Sequence, residues 1–160
     1  MRPLLFLDVD GPLIPFGGSA NEYARGQVAP GANPLLGRVD PAHGPRLAAL
    51  PCELVWATTW TTDANDLICP RLGLPELPVV HWPDFDDPDA DHRLHWKTED
   101  LVAWADGRPF AWVDDEITAA DRAWVSVHAT APALLHRVDP RVGLTAADFD
   151  VLAEWLRAPG

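Results

Sequence analysis

The chain contains a single lysine, Lys97, a single tyrosine and only two cysteines. Positive charge as a whole is scarce: 12 Lys and Arg stand against 24 Asp and Glu, a formal net charge of -12. A surface of that sign argues against gripping nucleic acid through many phosphate contacts, so any phosphate recognition has to be local. Cys52 and Cys69 lack CxxC spacing, one lying in an apolar run and one just before Pro70, and read as two reduced structural thiols. No apolar run approaches the roughly 18 residues of a membrane span. Arg2 is the only charged residue before the first apolar run, and there is no small-residue cleavage site, so the expectation is a soluble, cytoplasmic protein with no membrane partner.

With 160 residues, 48% of them hydrophobic, residues 1–160 fit one globular domain with a sizeable core. Leu4-Leu5-Phe6-Leu7 reads as a strand buried on both faces, and it ends on two carboxylates, Asp8 and Asp10, followed by Gly11. Residues two apart on extended chain project the same way, and Gly11 lets the chain turn off. Two carboxylates so placed repel unless a hard cation lies between them or one is protonated, and either arrangement serves catalysis. The plain alternative is a strand-end turn, which also favours Asp and Gly.

Further along, strands and helices alternate. Residues 14–41 are irregular and glycine-rich, follow directly on the acid pair, and read as a flap over it; Phe16, Tyr23 and Arg25 are its side chains suited to stack on or pair with a leaving group. A short helix from Pro41 leads to a second strand, Glu53–Trp60, and then to a helix at about Thr62–Ile68 capped by Thr61 or Thr62. Thr58 or Thr59 at that strand end suits either an anion or an ordinary helix cap. Leu77–His81 reads as a short third strand. The run Asp84–Asp91, with His92 and His95 after it, offers a second metal site or a solvated acidic loop, and it lacks the Gly and terminal Glu of a calcium loop. Trp96–Trp104 has helical spacing with Lys97 at its mouth. Phe110–Val113 is a fourth strand ending on Asp114, Asp115 and Glu116. A helix through about Asp121–Val125, a fifth strand at Ala133–Val138 and a helix capped by Thr145 and Asp148 complete the chain. The alternation predicts a mainly parallel α/β sheet, in which ligand groups collect at the carboxyl ends of the strands, where Asp8, Asp10, Thr58, Asp114 and Asp115 fall.

A DxDG after the first strand, Thr after the second, a lone Lys, and an Asp-Asp pair after the fourth resemble, in order and spacing, the four motifs of the haloacid dehalogenase (HAD) superfamily of phosphohydrolases. The resemblance covers essentially the whole chain. It implies a Rossmann-like three-layer sandwich, Mg2+ and an aspartyl-phosphate intermediate. By this likeness Asp8 is the nucleophile, Asp10 the general acid and base, and Thr58 and Lys97 bind phosphate. Asp8, the Asp10 carbonyl and an Asp of the fourth strand would hold Mg2+. The Asp-Asp pair is similar to that of carboxy-terminal-domain and polynucleotide kinase phosphatases, which implies Asp115 as the ligand and Asp114 as the partner of Lys97. Pro12 stands where many members carry Thr or Val. The spacing between motifs leaves no room for a large cap domain.

A small capless member of this kind also looks similar to HAD domains related to RNA-repair phosphatases. The expected activity is therefore Mg2+-dependent phosphomonoester hydrolysis. The acidic surface favours a small phosphorylated metabolite or nucleotide, with a nucleic-acid end as the alternative substrate. The reading from another class is a catalytically idle module that binds phosphate or a protein partner, and the intact pair Asp8 and Asp10 speaks against it.

Overall fold

The computed structural model describes residues 1–83 and 93–160, so the acidic run Asp84–Asp91 and His92 lie outside the described residues. Four strands make one all-parallel sheet: β1 (Leu4–Leu7), β2 (Glu53–Trp56), β3 (Phe110–Asp114) and β4 (Ala133–Arg137), in the order β2-β1-β3-β4. Central β1 has a neighbour on each side and helices over each face, which is why all four of its residues are apolar and buried. Alternation along the strands divides the core in two. Leu5 and Leu7 join Leu54, Trp56, Ala111 and Val113 on one face, while Leu4 and Phe6 join Val55, Phe110 and Trp112 on the other.

The first face is covered by α1 (His43–Ala48), α2 (Cys69–Leu72) and α5 (Ala146–Arg157) through Leu47, Leu72, Phe149, Leu152 and Leu156. The second is covered by α3 (Thr98–Ala105) and α4 (Ala119–His128) through Leu101, Ala105 and Val125. Three layers result, and among the described residues there is no large separate cap. Thr145 and Asp148 form the expected capping box at α5, and Thr118 with Asp121 forms a second one at α4. Cys52 and Cys69 are both buried and free, the Cys52 thiol being pushed up by burial to about 12. No helix among the described residues is long and apolar enough to cross a membrane.

Three expectations are corrected. Leu77–His81 is not a strand of the sheet: only Val79 forms a bridge to Trp56, with Trp56 N–H donating to the Pro78 carbonyl and Val80 N–H to the Trp56 carbonyl. Pro78 has no N–H and Pro75 and Pro83 flank the segment, so a continuous ladder cannot form. The second strand stops at Trp56 rather than Trp60, because the chain turns from Thr58 onward, with Thr61 in the left-handed region at φ +49°. The helix after it starts at Ala64 as a wide five-residue turn, Ala64–Ile68, that continues into α2; Asp63 occupies the cap position without a side-chain bond, and neither Thr61 nor Thr62 caps it.

Residues 14–41 carry two short 3-10 turns, Ala20–Tyr23 and Pro34–Arg38, and are pinned to the body. The Tyr23 hydroxyl donates to the Arg141 carbonyl at 2.8 Å, Arg38 Nη1 donates to the Pro15 carbonyl at 3.0 Å, and Leu36 and Val39 enter the core. Tyr23 is therefore a buried strut of this segment.

The strand order reverses between β1 and β3, the switch point where open α/β sheets form ligand crevices. Helix packing on the first face is tight. A Cβ at Gly44 of α1 would lie 1.7 Å from the Leu72 carbonyl oxygen of α2. Gly44→Ala is expected to force the two helices apart and cost about 1–3 kcal/mol, read as a lower urea midpoint; an unchanged midpoint would show that the two helices are not in rigid contact.

Candidate active site

The parallel register sets β1 beside β3, with Leu7 opposite Val113, and Asp8 N–H still donates to the Val113 carbonyl at 3.1 Å. One residue further, Asp8 and Asp114 lie side by side. Lys97, immediately before α3, reaches between them: its Nζ is 2.7 Å from Asp114 Oδ2 and 3.2 Å from Asp8 Oδ1. Asp8 (6% exposed), Lys97 (3%), Asp114 (1%) and Asp115 (8%) form a buried floor. Burial pushes the Asp8 carboxyl well above its ordinary value, with Lys97 opposing that shift and Asp114 reinforcing it. Burial and then the neighbouring Asp114 raise Asp115 to about 6. Burial works against the charge on Lys97, but the attraction of Asp8 and Asp114 outweighs it and holds the ammonium above its usual range.

Local hydrogen bonds fix Asp8 and Asp114. Asp8 Oδ1 also accepts the Val9 N–H at 2.8 Å, and Asp114 Oδ1 accepts the Glu116 N–H at 3.1 Å. Gly11 is required twice over: its φ is +99°, and a Cβ there would lie 2.8 Å from Asp115 Cγ. Asp10, partly buried, accepts the Trp60 indole N–H on Oδ2 at 3.1 Å. Thr58 is fully buried and its hydroxyl accepts the Trp60 N–H at 3.1 Å, so it shapes the turn that delivers Trp60 to Asp10. Thr59 is the exposed one of the pair and borders the cleft. Trp60 carried no signal in the sequence, since its contact with Asp10 spans 50 residues.

The segment that presents Lys97 is itself clamped. Asp121, completely buried, accepts the His95 N–H (2.8 Å) and the Thr98 hydroxyl (2.8 Å) on Oδ1, and the Thr118 N–H and hydroxyl (both 2.8 Å) on Oδ2. One carboxylate thus caps α4 and ties α4 to the start of α3. His95 Nδ1 accepts the Lys97 N–H at 3.1 Å, which leaves Nε2 as the donor to Glu116 Oε2 at 2.9 Å. The cleft above the floor has a volume of about 140 Å3 and is bordered, besides the acids and Lys97, by Phe16, Thr59, His95, Trp96 and Glu116.

Carboxylate oxygens of Asp8, Asp114 and Asp115 lie within 4.8 Å of one another. With all three carboxylates ionised, one ammonium leaves an excess of two negative charges in a buried space, and the donors are all hard oxygens, so the residues fit a divalent cation such as Mg2+. The Asp10 side chain is not part of this group; it is turned to Trp60. Phosphate held here would meet one ammonium and, with a cation bound, two positive centres.

A family model described as the HAD domain in Swiss Army Knife RNA repair proteins matches residues 4–149. No curated protein and no solved structure matches the chain.

The clamp has a measurable signature. Burial opposes the Asp121 charge, but the four donors outweigh it and hold its carboxyl below the ordinary value near 3.9. A depressed carboxyl contributes stability above the unfolded-state value and loses it as pH falls through the folded one. Asp121→Asn is therefore expected to cost about 1–3 kcal/mol at pH 7, with the gap to the parent protein closing as pH drops below about 4. Urea midpoints measured against pH check this; a gap independent of pH would contradict a charged Asp121.

Proposed function

Because the chain belongs to the family of HAD domains in Swiss Army Knife RNA repair proteins, we propose that it is a Mg2+-dependent phosphomonoesterase working through an aspartyl phosphate on Asp8. The observation that carries this reading is the Asp8, Lys97 and Asp114 cluster, with Asp115 beside it, at the switch point of the sheet. Phosphoryl transfer needs an in-line nucleophile, neutralisation of the equatorial oxygens and a proton for the leaving group. Asp8 Oδ1 is held by Lys97 and Val9, which leaves its second oxygen as the attacking atom. Lys97 neutralises charge on the phosphoryl oxygens, and Asp114 keeps its ammonium in place. Asp8, the Asp10 carbonyl and Asp115 would hold Mg2+, which supplies further charge neutralisation when bound. Asp10, oriented by the Trp60 indole, protonates the leaving oxygen and then takes a proton from the water that cleaves the acyl phosphate. Thr58 supports the phosphate-binding turn, and Thr59, exposed at the cleft, is the hydroxyl in reach of a phosphoryl oxygen.

The substrate in this reading is a phosphate monoester of a small metabolite or a nucleotide. The acidic chain favours a small substrate, and the family's description brings the end of an RNA chain forward as the second source of the same phosphate. A cytoplasmic setting suits either.

The tests are direct. Asp8→Asn keeps the shape and removes the nucleophile, so turnover of aryl phosphate is expected to fall by about four orders of magnitude or more with the thermal transition unmoved; full activity in that variant would end the assignment. Activity is expected to need Mg2+ and to be inhibited by Ca2+, whose looser coordination misplaces the phosphoryl group. Asp115→Ala is expected to raise the Mg2+ requirement more than Asp114→Ala, since Asp114 serves Lys97. Activity surviving in EDTA, or the opposite order of the two variants, would contradict the metal assignment.

A further inference from the structure

The floor of the cleft is charged and buried, but its rim is aromatic. Phe16 (43% exposed) and Trp96 (39% exposed) are the two most exposed aromatic side chains among the described residues, and both border the same 140 Å3 cleft as Asp8 and Lys97. They come from opposite sides, Phe16 from the segment after β1 and Trp96 from the turn into α3. Neither is loose. Phe16 N–H donates to the Pro140 carbonyl at 2.8 Å, and the Trp96 ring is braced edge-on by Trp82 (4.8 Å, 82°) and by the His95 ring at 5.3 Å. The Trp96 ring centre is 5.4 Å from Lys97 Nζ, which in turn touches Asp8. In-line attack from the buried Asp8 directs the leaving group outward, past this ring. Among the described residues no arginine borders the cleft, and Lys97 is committed below, so these rim residues offer no lysine or arginine with which to grip a second phosphate and carry Glu116 instead. A leaving group met by two aromatic rings and an acid is read by its π-face. We infer that Phe16 and Trp96 select a single nucleobase next to the phosphate to be removed, so that the substrate is a nucleoside monophosphate or one unpaired terminal nucleotide rather than a sugar phosphate or a diphosphate. This inference rests on the phosphomonoesterase reading of the floor.

Binding to the Asp8→Asn variant, measured by calorimetry with Mg2+ in the buffer, tests it without turnover. The probes are uridine monophosphate, ribose 5-phosphate and a short oligoribonucleotide with one terminal phosphate. Uridine monophosphate is expected to bind about tenfold or more tightly than ribose 5-phosphate, within the range that base–aromatic stacking supplies. Phe16→Ala and Trp96→Ala should each remove most of that preference, while Phe16→Tyr and Trp96→Phe retain it. Both side chains are substantially exposed, so these variants are expected to fold. The oligonucleotide identifies the carrier: binding comparable to the mononucleotide supports a chain end, and no binding supports a free nucleotide. Equal affinity for uridine monophosphate and ribose 5-phosphate would overturn the inference, as would alanine variants that weaken both alike. A steep loss of oligonucleotide binding with salt, by about a thousandfold between roughly 50 and 200 mM, would overturn the reading of one base without chain phosphates. Failure of the hydrolase reading is seen separately, as absence of turnover by the parent protein, and leaves this base preference measurable.

Discussion

Three carboxylates share a buried floor with one ammonium, and the rest of the structure is arranged to tolerate that. Lys97 lies between Asp8 and Asp114 because the parallel register of β1 and β3 brings their ends together, and because α3 begins at Thr98, just after the lysine. Removing Lys97 from such a cluster would leave buried carboxylates uncompensated, a loss on the order of 3–5 kcal/mol, whereas removing one carboxylate relieves part of their mutual repulsion. The remaining excess of negative charge is what a divalent cation would relieve. Stability and the proposed catalysis therefore draw on the same electrostatic imbalance.

Around that floor several groups are also fixed by contacts from distant parts of the chain. Gly11 gives way to Asp115, Trp60 holds Asp10, and Asp121 fastens the segment bearing Lys97 to α4. The segment of residues 14–41 is not a free lid over its whole length. Tyr23, Arg38 and Leu36 anchor it, and of the three side chains suited by sequence to meet a leaving group only Phe16 borders the cleft.

The parts legible in the sequence were those with a local signature. Leu4–Leu7 and Phe110–Val113 announce buried strands by composition, and each ends on acids that the sheet then makes neighbours. The box of Thr145 and Asp148 is read from a three-residue spacing. What was not legible depends on contacts far apart in the chain. The indole of Trp60 meets Asp10 across 50 residues, and Asp121 meets His95 across 26. The segment Leu77–His81 misled because its apolar residues have strand character while Pro78 denies it the ladder, and the helix after Thr62 misled because the turn from Thr58 to Thr61 consumed its expected cap.

The proposed reaction turns on a covalent bond at Asp8. A single turnover with Mg2+ and a phosphomonoester that the protein hydrolyses can be quenched in acid, reduced with borohydride and read by mass spectrometry of the peptide around Asp8. The account predicts that Asp8 alone is reduced to the alcohol, the trace of an acyl phosphate, and that Asp10 is untouched. Turnover with no modification at Asp8, or with the label on another carboxylate, would contradict it.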